Sequence, residues 1–414
     1  MLDRSFVALL ALILVNQIGF GLITPVLPSY ARSFGLDAAD IGLVIGIYGF
    51  ARFIANVPAG YLSDRRGRRQ VLVLGTAVTS VASALIATSD SLPQLLAYRL
   101  LAGLGAATVI TAGQIMVGDL ARPENRGRMM SIYQGVFLFG VGLGPTPGGL
   151  LADAFGLRAP FIAYAVFSAG ACLLAMLVIR ETKPAEARLA EREAVTETSS
   201  AVDRATLLRT LGSRAFILIV FVSFAQFVGR TGALFTVAPL LGTEDLGLSS
   251  SKIGYALTLV NVLNIATIYF SGALADRFGR KVVIVPAMLV EGAGLALFAF
   301  ADSYLLFLAS AATWGFGSGI SGPAPAAYVT DLAPGSVRAR IFGYFRSLSD
   351  AGYVVGPLAL GWIANRWGYD APLLLTAGMI LVAGVLFALF APEFHRGTRA
   401  PAAPQPARAP RGVR

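Results

Sequence analysis

The sequence predicts an all-α membrane protein, with twelve transmembrane helices in two pseudo-symmetric six-helix bundles. Three observations predict it. The 414 residues are 56% hydrophobic and only 14% charged. Apolar runs of about 20 residues recur along the chain, the length that crosses a ~30 Å hydrocarbon core. One short polar stretch between two such runs, Gly60-Tyr-Leu-Ser-Asp-Arg-Arg-Gly-Arg-Arg69, returns 212 positions later as Gly272-Ala-Leu-Ala-Asp-Arg-Phe-Gly-Arg-Lys281. The same hinge made twice marks two copies of one membrane unit.

The first apolar run begins almost at Met1 and continues past any plausible cleavage site. It reads as a retained span, about 5–32, and not as a signal peptide. Five more follow at about 40–62, 70–90, 92–118, 129–153 and 159–180. A second six occupy about 214–241, 252–275, 281–301, 303–331, 340–364 and 371–391. Most connectors are short and hold Gly, Pro, Asp or Ser. The exception is 181–213, rich in Ala, Glu and Arg, with no apolar run. It reads as a cytoplasmic linker with room for a surface helix, joining an N-terminal bundle (1–180) to a C-terminal bundle (214–391). Residues 392–414 are rich in Pro, Ala and Arg and read as a disordered cytoplasmic tail.

Lysine and arginine set the orientation. Of 33, 25 fall on the side of the N-terminus, four in loops on the other side (Arg32, Arg158, Lys252, Arg366), and four within spans. This bias puts both termini in the cytoplasm of a cell (inner) membrane. It also accounts for the net charge of +10 without a nucleic-acid partner. The one cysteine, Cys172, lies in a span, and the one histidine, His395, in the tail. They offer no disulfide, metal site or catalytic constellation. The expected protein is not an enzyme, carries no metal or cofactor, and works as a monomer in the lipid bilayer.

The repeat extends beyond the hinge. A shift of 212 carries Gly42 onto Gly254, Gly103 onto Gly315, Asp119 onto Asp331, and Arg126 and Arg128 onto Arg338 and Arg340. It carries Gly144-Pro145 onto Gly356-Pro357, Gly149 onto Gly361 and Gly156 onto Gly368. Six spans per half make the halves parallel repeats about an axis along the membrane normal, an architecture that places a substrate site near the midplane between them.

With its hinge matched in both halves, the chain resembles the major facilitator superfamily over essentially its whole length, and its drug:proton antiporter branch in particular. The resemblance implies two bundles that rock about a central cavity. It also implies a cytoplasmic charge latch that holds the outward-facing state. Carried over, the latch comprises Gly60, Asp64, Arg65, Gly67, Arg68 and Asp119, echoed by Asp276, Gly279, Arg280 and Asp331. A carboxylate near a helix N-terminus can also pair with arginine, and both contacts can break as the halves move. The plainer reading is that these charges only enforce topology.

Two further motifs match in part. The fourth span holds Leu95-x-x-x-Arg99-x-x-Ala102-Gly103-x-Gly105-Ala106-Ala107. It resembles the family motif whose arginine is tied to proton transfer, with Ala102 where glutamine is usual. The fifth span holds Gly140, Gly144, Pro145, Gly148 and Gly149. It resembles the antiporter motif, with Ser131 in place of its first glycine. Small residues four apart allow close helix approach, and proline beside glycine bends the helix. Such a bend between the halves would seal the cavity; close packing alone is the alternative.

Six charged residues lie within spans: Arg52, Arg99, Arg230, Arg346, Glu291 and Asp350. Embedded charges are costly and face a bundle interior or a wet cavity. Asp350 is the leading candidate for proton coupling, through Arg52 or Arg230, unless it simply pairs with Arg346 one helical turn away. Arg99 and Glu291 follow, with Glu291 expected at the periphery. Candidate cavity residues are Asn16, Gln17, Arg52, Gln226, Arg230, Asn261, Asn264, Trp314 and Arg346. Four arginines against two acids favour an anionic or zwitterionic substrate. The first span lacks the acid that drug–proton antiporters often carry there.

These readings converge on a proton-coupled exporter of small amphipathic or anionic compounds, working by alternating access, with protons and a small molecule as its partners. Uptake of a polar metabolite, such as a sugar or organic acid, fits the same fold. A non-transporting sensor or a lipid-moving protein does too.

Overall fold

The computed structural model describes residues 4–122, 125–182, 201–334 and 337–393. Most of the linker (183–200) and of the tail (394–414) lies outside the described residues, as does the side chain of Asp276.

The N-terminal half is built from α1 (Arg4–Ile23), α2 (Leu27–Arg32), α3 (Ala38–Arg66), α4 (Arg68–Ala87), α5 (Leu92–Leu120), α6 (Arg126–Leu143), α7 (Pro145–Phe155) and α8 (Ala159–Val178). A linker helix, α9 (Ala201–Leu211), leads into α10 (Arg214–Val228), a π-helical segment (Gly229–Val237) and α11 (Ala238–Glu244). Then come α12 (Ser250–Phe278), α13 (Arg280–Ala299), α14 (Tyr304–Ser321), α15 (Ala324–Leu332), α16 (Arg338–Trp367) and α17 (Asp370–Phe390).

Ten of these segments are long and apolar enough to cross a membrane by length and composition. The remaining two of the twelve expected spans are α14 with α15, broken at Gly322-Pro323, and α16, which carries Arg346 and Asp350. Three other spans are not single α-helices as drawn from the sequence. The first breaks around Pro25, the fifth bends where Gly144 meets Pro145, and the seventh loosens into a π-helix. Proline at a first helical position has no N–H to lose, which is why α7 restarts there.

The repeat governs the backbone as well as the sequence. The described glycines with positive φ are Gly35, Gly67, Gly156, Gly247, Gly279 and Gly368. They form three pairs 212 apart. Gly67 (φ 103°) and Gly279 (φ 100°) turn the chain between the two helices of each hinge, in a region that a side chain strains.

The halves meet through α3 on α16, and α6 and α7 on α12. At the end away from the hinges, this contact is glycine on backbone. A Cβ at Gly42 would overlap the Pro357 carbonyl, and one at Gly254 would overlap that of Pro145. One at Gly361 would overlap the Ala38 carbonyl, and one at Gly149 that of Ser250. Each overlap is the repeat image of another. Asn365 accepts from the Ala38 N–H at 2.8 Å, while Asp153, its counterpart, accepts from the Ser250 and Ser251 N–H groups at 3.1 and 2.9 Å. Arg32 and Glu244 close the rim at 2.7 Å. An apolar cluster around Ile41, Val44 and Tyr164 also takes in Leu240 and Ala364 of the other half.

Toward the hinges, the same helices part. Among the described residues, no atom from another part of the fold lies within 4 Å of where a Cβ would stand at Gly135, Gly272 or Gly343. Phe53 and Val57, further along the face of α3 that meets α16, are exposed. The molecule is sealed at one end and open at the hinge end.

The interlock predicts that Gly361→Leu destabilises the sealed end. Overpacking of about 1–3 kcal/mol shifts that equilibrium roughly five- to a hundredfold. Maleimide labelling of Ala38→Cys, in a background lacking Cys172, should rise accordingly. Unchanged labelling would show that the interlock does not hold this end shut.

Candidate functional site

Each hinge ends in a charge cluster. Arg68 is almost fully buried; its Nε meets Asp119 at 2.7 Å and its Nη1 meets Asp64 at 3.0 Å. Arg280 meets Asp331 at 3.2 Å in the second copy. Asp64 is 60% exposed, and Arg65 lies over the Tyr61 ring at 5.2 Å. These ion pairs lie inside one half each.

Two members of the cluster were not singled out in the sequence. Glu181 accepts from the Arg68 and Arg69 N–H groups at 2.9 and 3.2 Å. Glu393 does the same for Arg280 and Lys281 at 2.9 and 3.1 Å. Each caps the N-terminus of the helix after the hinge, where a carboxylate satisfies orphan donors and the helix dipole. The two are 212 apart, so the repeat held the signal.

The glycine motif divides its work. Gly140, Gly144 and Gly148 lie against α1, at Gln17, Gly21 and Leu22. Gly149, with the Pro145 carbonyl, meets α12 of the other half. Asn261 also faces Gly142 across this contact, and its Nδ2 donates to the Leu257 carbonyl at 2.8 Å.

In the C-terminal half, a polar group forms between three helices. Glu291 is 1% exposed. Its carboxylate accepts from Ser321 Oγ and from Gln226 Nε2, the latter at 3.1 Å, and Gln226 also reaches Ser321 at 2.8 Å. Arg230 is its charged neighbour and lies over the Phe235 ring at 5.9 Å. This corrects the peripheral placement of Glu291. The face of α13 that carries Glu291 packs inward against α14, at Gly317. Trp314 is corrected too. It is buried between Gly229 and Gly294 as core packing and does not line the opening.

Asp350 bonds to Arg346 at 3.2 Å within α16, and Arg346 also lies over Phe227 at 5.9 Å. Asn264 donates to Ser318 at 3.0 Å, inside the C-terminal half. In the N-terminal half, Arg99 lies over the Tyr48 ring at 4.4 Å, and Arg52 over the Tyr353 ring at 5.4 Å. Asn16 accepts from the Tyr164 hydroxyl at 3.5 Å. The structure thus makes two embedded centres, a carboxylate group in one half and an arginine–tyrosine group in the other.

Comparison with known proteins agrees with this architecture. The family model for the Major Facilitator Superfamily matches residues 9–251 and again 219–412. Tetracycline resistance protein, class C, of Escherichia coli is 28% identical over 406 residues, covering 95% of this chain and 97% of that one. Multidrug resistance protein 2 of Bacillus subtilis is 25% identical, covering 92% and 93%. The crystal structure of a D-xylose-proton symporter superposes with a TM-score of 0.74 at 19% identity, covering 94% and 98%.

The buried pairing of Arg68 predicts a stability difference between the two hinges. Arg68→Ala strands Asp119 and should cost about 3 kcal/mol, more than Arg280→Ala, whose partner Asp331 is 40% exposed. Thermal unfolding of the solubilised protein measures both; equal losses would refute the ranking.

Proposed function

The chain belongs to the Major Facilitator Superfamily, and from that premise we propose that it is a proton-coupled exporter of small amphipathic or anionic compounds. Relatives that span nearly its whole length are tetracycline and multidrug resistance proteins, which supports export over uptake. The glycine–proline bend on the sealed end supports it further, since an exchanger must not leak when empty.

The observation that carries coupling is Glu291. A buried carboxyl held by an amide and a hydroxyl can keep its hydrogen bonds on either side of a protonation step, because a hydroxyl both donates and accepts. Intramembrane acids of this kind mark proton relays. Asp350 is the weaker candidate. Its partner Arg346 stands one turn away on the same helix, and neutralising Asp350 would leave that arginine unpaired.

Alternating access follows from the two ends. With the hinge end in the cytoplasm, as the lysine and arginine bias supports, the described conformation loads substrate from the cytoplasm. Opening the far end requires the interlocked glycines to separate. The hinge clusters, with Asp64 exposed, are positioned to gain partners across the halves as the hinge end closes. A proton taken up at Glu291 from outside then exchanges for substrate leaving the cell.

Proteoliposomes with an imposed pH gradient test this, with tetracycline as the first substrate. Substrate-driven proton movement should appear with the wild type, vanish in Glu291→Gln and persist in Asp350→Asn. If Glu291→Gln moves protons like the wild type, coupling does not run through Glu291.

A further inference from the structure

The embedded charges are not matched locally. Glu291 has Gln226, Ser321 and the nearby Arg230; Asp350 has Arg346. Arg52 and Arg99 are left in the N-terminal half. Arg99 is 2% exposed. Its Nε donates to the Val44 carbonyl at 3.3 Å, and its Nη1 has no partner among the described residues. The ionisable groups that act on it are all tyrosines: Tyr48, Tyr353 and Tyr164. Arg52 lies 5.9 Å from the Tyr48 ring and 5.4 Å from the Tyr353 ring; its guanidinium is hydrogen-bonded to Tyr353, but its Nε has no partner among the described residues. The acid that acts on Arg52 is Asp350, already bonded to Arg346. Asn16 is 1% exposed, and its Nδ2 is a third unpartnered donor.

Three donors from α1, α3 and α5 therefore lie around Tyr48 and Tyr164, and Arg99 among them is a buried cation on which no acid acts. A buried polar group without a partner is costly, and a buried cation without a counter-ion is more so. Stacking on tyrosine offsets only part of that. Such a deficit persists in a membrane protein where a ligand relieves it. The repeat does not demand these residues. The positions 212 away from Asn16, Arg52 and Arg99 hold Val228, Asn264 and Ala311, so neither arginine is repeated in the other half.

We propose that Asn16, Arg52 and Arg99 form a substrate subsite for an oxyanion, a carboxylate or its equivalent, carried on an aromatic or apolar body. The anion accepts from Arg99 Nη1, Arg52 Nε and Asn16 Nδ2. The body lies along Phe20, stacked 5.6 Å from Tyr48, and Tyr353. Arg52 and Tyr353, one from each half, are only part-buried, which gives the entry path. The subsite names the substrate class for the export reading and rests on it for its role.

The test is equilibrium binding to the purified, solubilised protein without any gradient. The probes are 2-naphthoate and its neutral amide, 2-naphthamide, followed by probe fluorescence. The wild type should bind the carboxylate roughly 10- to 100-fold tighter, the range for hydrogen bonds to a charged group. Arg99→Gln and Arg52→Gln should each erase that preference and leave amide binding unchanged. Asn16→Asp keeps the side-chain shape and supplies an internal counter-ion. It should lose the preference while raising the unfolding temperature, and so decides the matter if an arginine variant does not fold. Equal binding of the two probes, binding of neither, or a preference that survives Asn16→Asp overturns the subsite. No proton flux enters this assay, so its failure leaves coupled export standing. A failed flux experiment likewise leaves the subsite standing.

Discussion

Contact between glycine Cα atoms and facing carbonyls at one end of the molecule is the constraint on which the rest depends. Inside a membrane, apolar burial does not favour helix on helix over helix on lipid, so association relies on close packing and hydrogen bonds. Gly42, Gly149, Gly254 and Gly361 allow backbones from opposite halves to approach where any side chain would collide. The same helices are splayed toward the hinges. Away from the sealed end, Arg346 is 60% and Asp350 23% exposed.

The two halves share a scaffold and divide the chemistry. Hinge turns, interlocking glycines and the capping acids Glu181 and Glu393 all recur 212 residues apart. The embedded polar groups do not. The positions 212 away from Glu291 and Asp350 hold Thr79 and Leu138, just as those 212 away from Asn16, Arg52 and Arg99 hold no arginine. In the proposed function, repetition would serve the motion, which needs two matched bundles, and broken repetition would serve recognition, since a substrate and a proton require different partners.

How much was legible varies by residue. The hinge, its Asp64 one helical turn before Arg68, and the glycine–proline bend were readable from spacing along the chain, whereas Asp119, 51 residues from Arg68, entered only through the family resemblance. Glu181 and Glu393 were readable in principle from the repeat. The partnership of Glu291 with Gln226 and Ser321 was not, because it joins residues 65 and 30 positions apart and depends on the rotation of α13 about its own axis. Asp350 illustrates the reverse. A local partner at i−4 was visible in the sequence, and that partner is the one the fold retains.

The sequence by itself determined the membrane class, the twelve spans, the duplication and the chemistry of each hinge, since length, hydropathy and repeat spacing are properties of a chain. Only the tertiary structure decided which end is sealed, that Glu291 sits among neutral donors, and that Arg99 and Arg52 have unpartnered nitrogens beside Asn16. Those outcomes depend on how far each helix is rotated and tilted against its neighbours. Close packing between helices selects those angles, and no pattern along a single helix encodes them.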